Sequence, residues 1–125
     1  MVRVQVVGDQ LLARLPWRLA LAAERRTVRV PVAAVTDVRV ENSWWRALRG
    51  SPGRRYRFRA ARWAAGERTH GRGRDFVALA QGGPALLIDL EHWRSPYARM
   101  ALTVEDPAEV ISLLKKSAKK LSQGV

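Results

Sequence analysis

Ala98-Arg99-Met100-Ala101-Leu102-Thr103-Val104-Glu105-Asp106-Pro107-Ala108-Glu109 is the stretch on which the fold turns. Across it the hydrophobic period changes from two residues to about 3.6, so a strand ends and a helix begins. Ala98, Met100, Leu102 and Val104 face one way, and Arg99, Ala101 and Thr103 the other. Asp106 can cap the helix, Pro107 takes the first helical position, where a missing N–H costs nothing, and Glu109 completes a capping box. Val110, Leu113, Leu114, Ser117, Ala118 and Leu121 then form one apolar stripe, with Lys115, Lys116, Lys119 and Lys120 mostly off it. Such a stripe must dock on something, and the chain upstream supplies it.

Moving outward, Val2, Val4 and Val6 alternate with Arg3 and Gln5, and Gly8-Asp9 turns the chain into Gln10–Leu15, an opening hairpin. Pro16 introduces Trp17–Ala23, which reads as one short helix or an irregular crossover. Thr27–Val30 and Ala34–Glu41 are β-branched strands separated by Pro31. Asn42–Gly53 holds Trp44-Trp45, Gly50 and Ser51-Pro52-Gly53 and reads as the longest loop. Arg54–Ala65 alternates as one strand, with Tyr56, Phe58 and Ala60 on one face and Arg55, Arg57 and Arg59 on the other. Gly66–Gly73 reads as flexible, with Gly71-Arg72-Gly73 a hairpin turn, and Arg74–Ala80 and Ala85–Leu90 read as a hairpin around Gln81-Gly82-Gly83-Pro84.

This order predicts a mostly-β (α+β) domain: a small barrel or sandwich of seven to eight antiparallel strands, capped by one C-terminal amphipathic helix. Residues 1–121 form the single domain and 122–125 a frayed tail. A chain of 125 residues, 47% hydrophobic, has room for one core and no second domain. No cysteine is present, which excludes disulfides, a cysteine zinc site and a thiol nucleophile. The apolar run at the N-terminus is too short for a signal peptide and no stretch approaches the ~20 apolar residues of a membrane span, so the expected location is cytoplasmic, with peripheral membrane attachment open. The net charge is +12, and 19 of the 23 basic residues are arginine. Either a polyanionic partner or a GC-rich codon bias accounts for the arginines, and the bias explains the net excess less well.

Strand order and terminal helix together describe the pleckstrin-homology (PH) superfold. Val30-Pro31, Trp45-Arg46-Ala47-Leu48-Arg49-Gly50, Arg62-Trp63, Arg74-Asp75-Phe76-Val77-Ala78-Leu79, Gly83-Pro84-Ala85-Leu86-Leu87-Ile88-Asp89-Leu90 and Glu105-Asp106-Pro107 follow one another along most of the chain. In that succession the chain resembles an actinobacterial-type, bacterial family of PH-like proteins. The resemblance implies a fold and no activity. Two departures stand out: where phosphoinositide-binding PH domains carry a basic loop this chain has Gly8-Asp9-Gln10, and Pro107–Leu121 lacks the tryptophan that locks the helix in eukaryotic PH domains. Leucines are then expected to hold the helix, with Trp17, Trp63 or another indole closing the core.

Catalytic signals are absent. His70 and His92 fall in expected turns, without a carboxylate at ligand spacing, and read as solvated. No nucleophile elbow, phosphate loop or dinucleotide fingerprint occurs, so no catalytic residue, metal or cofactor is expected and the chain reads as a non-enzyme.

Arg55, Arg57 and Arg59, with Arg54 and Arg62 nearby, form the sharpest candidate for binding. Alternate strand residues stand about 7 Å apart, near the spacing of successive phosphates, so the row either tracks a polyanion or is a solvated face paired with Glu41, Glu67 or Asp75. Trp44-Trp45 with Arg46 and Arg49 is the second candidate: one indole anchors an interface, or both tuck under the loop as a satellite core. Trp93 shares that ambiguity. The helix lysines complement the helix dipole. The expected function is a PH-like binding or scaffolding module engaging a protein partner or anionic lipid headgroups. The alternative is a nucleic-acid-associated protein using Arg55, Arg57 and Arg59, with Trp63 the only aromatic in phase with them.

Overall fold

The computed structural model describes residues 1–59, 62–81, 83–91 and 93–123, with the side chains of all of these except Trp44 and residues 118–123. The expected places of Ala60, Gly82 and His92, and the side chains of Trp44, Ala118, Lys119, Lys120 and Leu121, therefore lie outside the described residues.

The opening hairpin forms as its alternation requires: β1 (Arg3–Val7) pairs antiparallel with β2 (Gln10–Arg14) around Gly8-Asp9. A short helix, α1 (Trp17–Ala23), follows, and β3 (Thr27–Pro31) returns to pair with β2, completing a three-stranded sheet. Leu11, Ala13, Val28 and Val30 are buried on one side of this sheet, while Arg14 and Arg29 are exposed. Pro31 ends β3, a 3₁₀ turn over Val32–Ala34 redirects the chain, and β4 (Val35–Glu41) opens the second sheet.

That second sheet has seven strands in the order β4-β9-β10-β8-β7-β5, with β6 also on β7. Its members are β5 (Ser51–Pro52), β6 (Arg57–Arg59), β7 (Trp63–His70), β8 (Gly73–Ala80), β9 (Ala85–Leu90) and β10 (Arg99–Leu102). The helix α2 (Pro107–Gln123) closes the chain, two residues past the expected end, with Asp106 Oδ1 accepting the Glu109 N–H at 3.2 Å. The fold is thus mostly β with a C-terminal helix, and among the described residues the strands do not close into a barrel.

Three sequence expectations are corrected. Arg54–Ala65 is not one strand: β6 and β7 form a hairpin, with the Arg62 N–H donating to the Arg59 carbonyl at 2.9 Å and Trp63 opposite Arg59. The residues flanking this turn differ by four positions, so the period-two phase survives it and alternation alone does not reveal it. Gly66–Gly73 is not flexible: Glu67–His70 pair with β8, and only Gly71 and Arg72 make the turn. Gly66 lies at φ 124°, and a Cβ there would stand 2.6 Å from the Arg55 carbonyl oxygen, so glycine serves close backbone approach and not mobility.

Thirdly, β8 and β9 are not hairpin neighbours. β10 lies between them, parallel to β8 and antiparallel to β9, so the sheet is not wholly antiparallel. Phe76–Leu79 and Ala85–Ile88 are continuous apolar runs, the signature of strands covered on both faces. Inserting β10 also sets Arg99 opposite both Asp75 and Asp89.

One face of the large sheet packs Phe76, Ala78, Leu86, Ile88, Met100 and Leu102 into the main core, against the small sheet, α1 and Val110 and Leu114 of α2. The other buries Val77, Leu79, Ala85, Leu87 and Ala101 with Ala47, against partly buried Leu48 and Tyr56. The cover is the segment 42–50. It leaves β4 at one sheet edge and reaches β5 at the other, five strand gaps away, about 24 Å at ~4.8 Å per gap. The ten Cα steps from Glu41 to Ser51 reach about 33–36 Å fully extended, enough to cross that span. The 3₁₀ turn Trp44–Ala47 lies within it.

Candidate functional site

Two charged regions exist, and they differ in whether their charges are neutralised internally. The first lies on the strap-covered face. Asp37, Asp89, Arg99, Asp75 and Arg68 are successive cross-strand partners on β4, β9, β10, β8 and β7. Arg39 Nη1 is 2.8 Å from Asp37 Oδ2 and 2.5 Å from Asp89 Oδ2, while Arg99 Nε donates to Asp89 Oδ1 at 2.5 Å. Burial pushes the Asp89 carboxyl up, but the hydrogen bonds and charges of Arg99 and Arg39 together outweigh it and hold the group below its ordinary value. Arg49 descends from the strap onto fully buried Asp75, and this hydrogen-bonded partner, outweighing burial, raises the guanidinium pKa further.

His70 belongs to the same cluster, which corrects its reading as a solvated turn residue. Its Nε2 is 2.7 Å from Asp75 Oδ1, and its Nδ1 accepts the Arg72 N–H at 3.1 Å, which assigns the Nε2–H tautomer to the neutral ring. Arg68 donates to the carbonyls of Arg49 and Gly50 at 2.9 and 2.7 Å and stacks 4.9 Å from the Tyr56 ring centroid. Arg39, Arg49 and Arg99 meet carboxylates and Arg68 meets backbone carbonyls, so these side chains are engaged within the sheet and in holding the strap on it.

The second region is uncompensated. On the α1 side, Arg57, Arg59 and Arg62 are exposed, and among the described residues none has a carboxylate within ion-pair distance. Arg55 differs, with its Nε 3.7 Å from Glu24 Oε2. Trp17 and Leu21, four residues apart on α1, are each 67% exposed and form an apolar ridge, with the Arg18 guanidinium 5.2 Å from the Trp17 ring centroid. One flank of the ridge is a groove of about 960 Å³ reaching Arg14, Arg25 and Arg26, with Glu24 as its carboxylate. The other is a cleft of about 630 Å³ between α1 and the β6–β7 turn, bordered by Arg18, Arg59 and Arg62.

The sequence-derived candidates therefore separate. Arg59 and Arg62 border the cleft beside α1, Arg57 lies exposed two residues before Arg59 on β6, and Arg55 is diverted to Glu24. Trp45 and Arg46 are exposed on the strap, away from them, and Arg49 is spent on Asp75. Phe58, on the face opposite the arginines, is 62% exposed beside Tyr56, with ring centroids 5.7 Å apart. Trp63 is half-buried against the core as expected of a closing indole, whereas Trp17 is not.

Trp17, Leu21 and Arg18 went unread as site residues. The signal was present: Trp17–Ala23 is apolar almost all round, a single packed face buries only Leu19, Ala22 and Ala23, and the remainder must face outward. Among the described residues no group of three or more His, Asp or Glu side chains could hold a metal ion, and no helix is long and apolar enough to cross a membrane. Comparison with protein-family models, with curated proteins and with solved structures finds no match to this chain.

Proposed function

We propose that this chain is a non-enzymatic, PH-like binding module that docks peripherally on an anionic membrane surface such as the cytoplasmic leaflet. One observation carries the reading: the Trp17–Leu21 ridge stands exposed between two arginine-bordered clefts, of which one is lined by the single carboxylate Glu24 and the other by none. Indoles favour the headgroup level of a bilayer, and each basic residue near an anionic surface contributes about 1 kcal/mol. The PH-like part rests on the order of motifs and on a C-terminal helix docked on a strand-rich body; the parallel β8–β10 pair is a departure from it. The non-enzymatic part is supported by the buried charges, which are matched against one another and against Arg49 of the strap.

Sedimentation with phosphatidylcholine vesicles, with and without phosphatidylglycerol, tests the reading. Binding is expected only to the anionic vesicles, falling with salt, and weaker on the order of 100-fold in an Arg57→Ser/Arg59→Ser/Arg62→Ser variant. Equal binding to neutral vesicles, or none to either, would sink it. A nucleic-acid reading has one observation in its favour, Trp63 placed directly opposite Arg59 in the hairpin register. Duplex or single-stranded DNA bound more tightly than anionic vesicles at the same salt would put that reading first.

A further inference from the structure

We infer that the cleft between α1 and the β6–β7 turn is a site for one alkyl chain bearing an anionic headgroup, drawn from the membrane on which the domain docks. The inference rests on the docking reading and goes further, because a flat electrostatic contact needs no cavity. The cleft measures about 630 Å³, within the roughly 300–1,000 Å³ usual for small-molecule sites. Its walls are mostly carbon, with Trp17 and Leu19 of α1, Trp63 of β7 and Ala80 at the end of β8 among the lining residues. Its charged residues are all of one sign, Arg18, Arg59 and Arg62, and no carboxylate lines it.

The geometry separates the two ends of such a ligand. Arg59 and Arg62 flank one tight turn, closed by the Arg62 N–H to Arg59 carbonyl bond, and the Arg62 carbonyl in turn accepts the Gln81 N–H at 2.7 Å. Both arginines thus border the cleft from backbone that is hydrogen-bonded to the residue following β8. Trp63 lines the same cleft and packs against the main core, so an alkyl chain lodged there meets carbon. A neutral chain would leave the guanidinium groups unpaired, and a cationic one would be repelled by them.

Monomeric octyl and decyl phosphate, titrated into the ¹⁵N-labelled protein below their micelle-forming concentrations, test this, with inorganic phosphate and decyltrimethylammonium as the other arms. Expected are saturable shifts centred on Leu19, Trp63 and Ala80, about tenfold tighter binding for decyl than for octyl phosphate, as ~0.8 kcal/mol per buried methylene requires, and no saturation with the ammonium compound. Inorganic phosphate binding as tightly as decyl phosphate would mean that the chain contributes nothing, which overturns the inference. So would alkyl phosphates that fail to saturate while anionic vesicles still bind, an outcome that leaves the docking reading standing. Arg59→Ser/Arg62→Ser should weaken decyl phosphate at least tenfold with an unchanged unfolding midpoint, and an unchanged affinity in that variant also overturns it.

Discussion

Arg49 and Asp75, 26 positions apart, form a two-point ion pair in which Nε donates to Oδ2 and Nη2 to Oδ1, each at 2.7 Å. The pair fastens the 42–50 strap to the middle of the large sheet. Removing the cation leaves a fully buried carboxylate with His70 as its remaining hydrogen-bond partner among the described residues. Arg49→Ala should therefore cost about 3–5 kcal/mol in urea unfolding. The exposed neighbour Arg46→Ala should stay within about 0.5 kcal/mol of the parent. Equal effects of the two substitutions would show that the strap is held by something else.

Asp89 governs the acid limb of stability. Its carboxyl is held below the ordinary 3.8 because, against the opposing effect of burial, Arg99 and Arg39 favour the ion. A lowered folded-state pKa contributes stability that is present above the unfolded value and lost as pH falls through the folded one. Unfolding midpoints should drop below about pH 4, and Asp89→Asn should be less stable at neutral pH with a shallower acid decline. An acid limb of the same depth in the variant would assign it to other carboxylates.

Tyr97 sets an alkaline limb of opposite sense. Burial, then the hydrogen bond it donates to Glu67 Oε1 at 2.7 Å and the Glu67 charge, push its phenol from 10.0 up to about 12, while Arg25 and Arg74 pull the other way. The fold prefers the neutral phenol, so its contribution is whole below pH 10 and declines between pH 10 and about 12. The slope is at most about 1.4 kcal/mol per pH unit. Tyr97→Phe should lose that component of the slope in pH-dependent urea unfolding followed by tryptophan fluorescence. An identical slope in both proteins would remove Tyr97 as its source.

Gly66 is needed for space and for its backbone angle. Arg55 and Tyr56 cross it so closely that a Cβ would lie 2.6 Å from the Arg55 carbonyl oxygen and 2.8 Å from the Tyr56 Cα, at φ 124°. Gly66→Ala should destabilise by more than about 1 kcal/mol and loosen the segment that presents Arg57 and Arg59. Gly71→Ala, in the open turn nearby with nothing within 4 Å, should change little. Hydrogen exchange of the β6 amides distinguishes the two, and equal protection in both variants would contradict the crowding argument.

Local structure was legible wherever one face meets a core and the other meets water. The opening hairpin, β3, the Asp106 cap and the docking of Val110 and Leu114 of α2 follow from alternation or helical spacing. Where a strand is covered on both faces, as β8 and β9 are, alternation vanishes and so does the information about which strand lies beside it. The hairpin within 57–65 escaped for a different reason: a turn that preserves the period-two phase leaves no mark on the pattern. Of the candidate site, the arginines were visible and their sorting was not. Arg49 and Arg59 are the same residue type in similar company, and Asp75, 26 positions from Arg49, separates a structural pin from a cation with no ion pair among the described residues.

The amino-acid sequence by itself determined the content of this protein: a mostly-β fold, a capped C-terminal helix, no cysteine chemistry, and a +12 charge carried mainly by arginine. These follow from local periodicity and composition, which act between residues a few positions apart. Tertiary structure alone decided that β10 enters between β8 and β9, that the 42–50 strap covers the sheet's second face, and that Trp17 and Leu21 emerge exposed beside arginine-bordered clefts. Each is settled by pairing between distant segments, where a buried carboxylate must find its guanidinium and a two-sided apolar strand must find two covers, and neither requirement is written in the spacing of neighbouring residues.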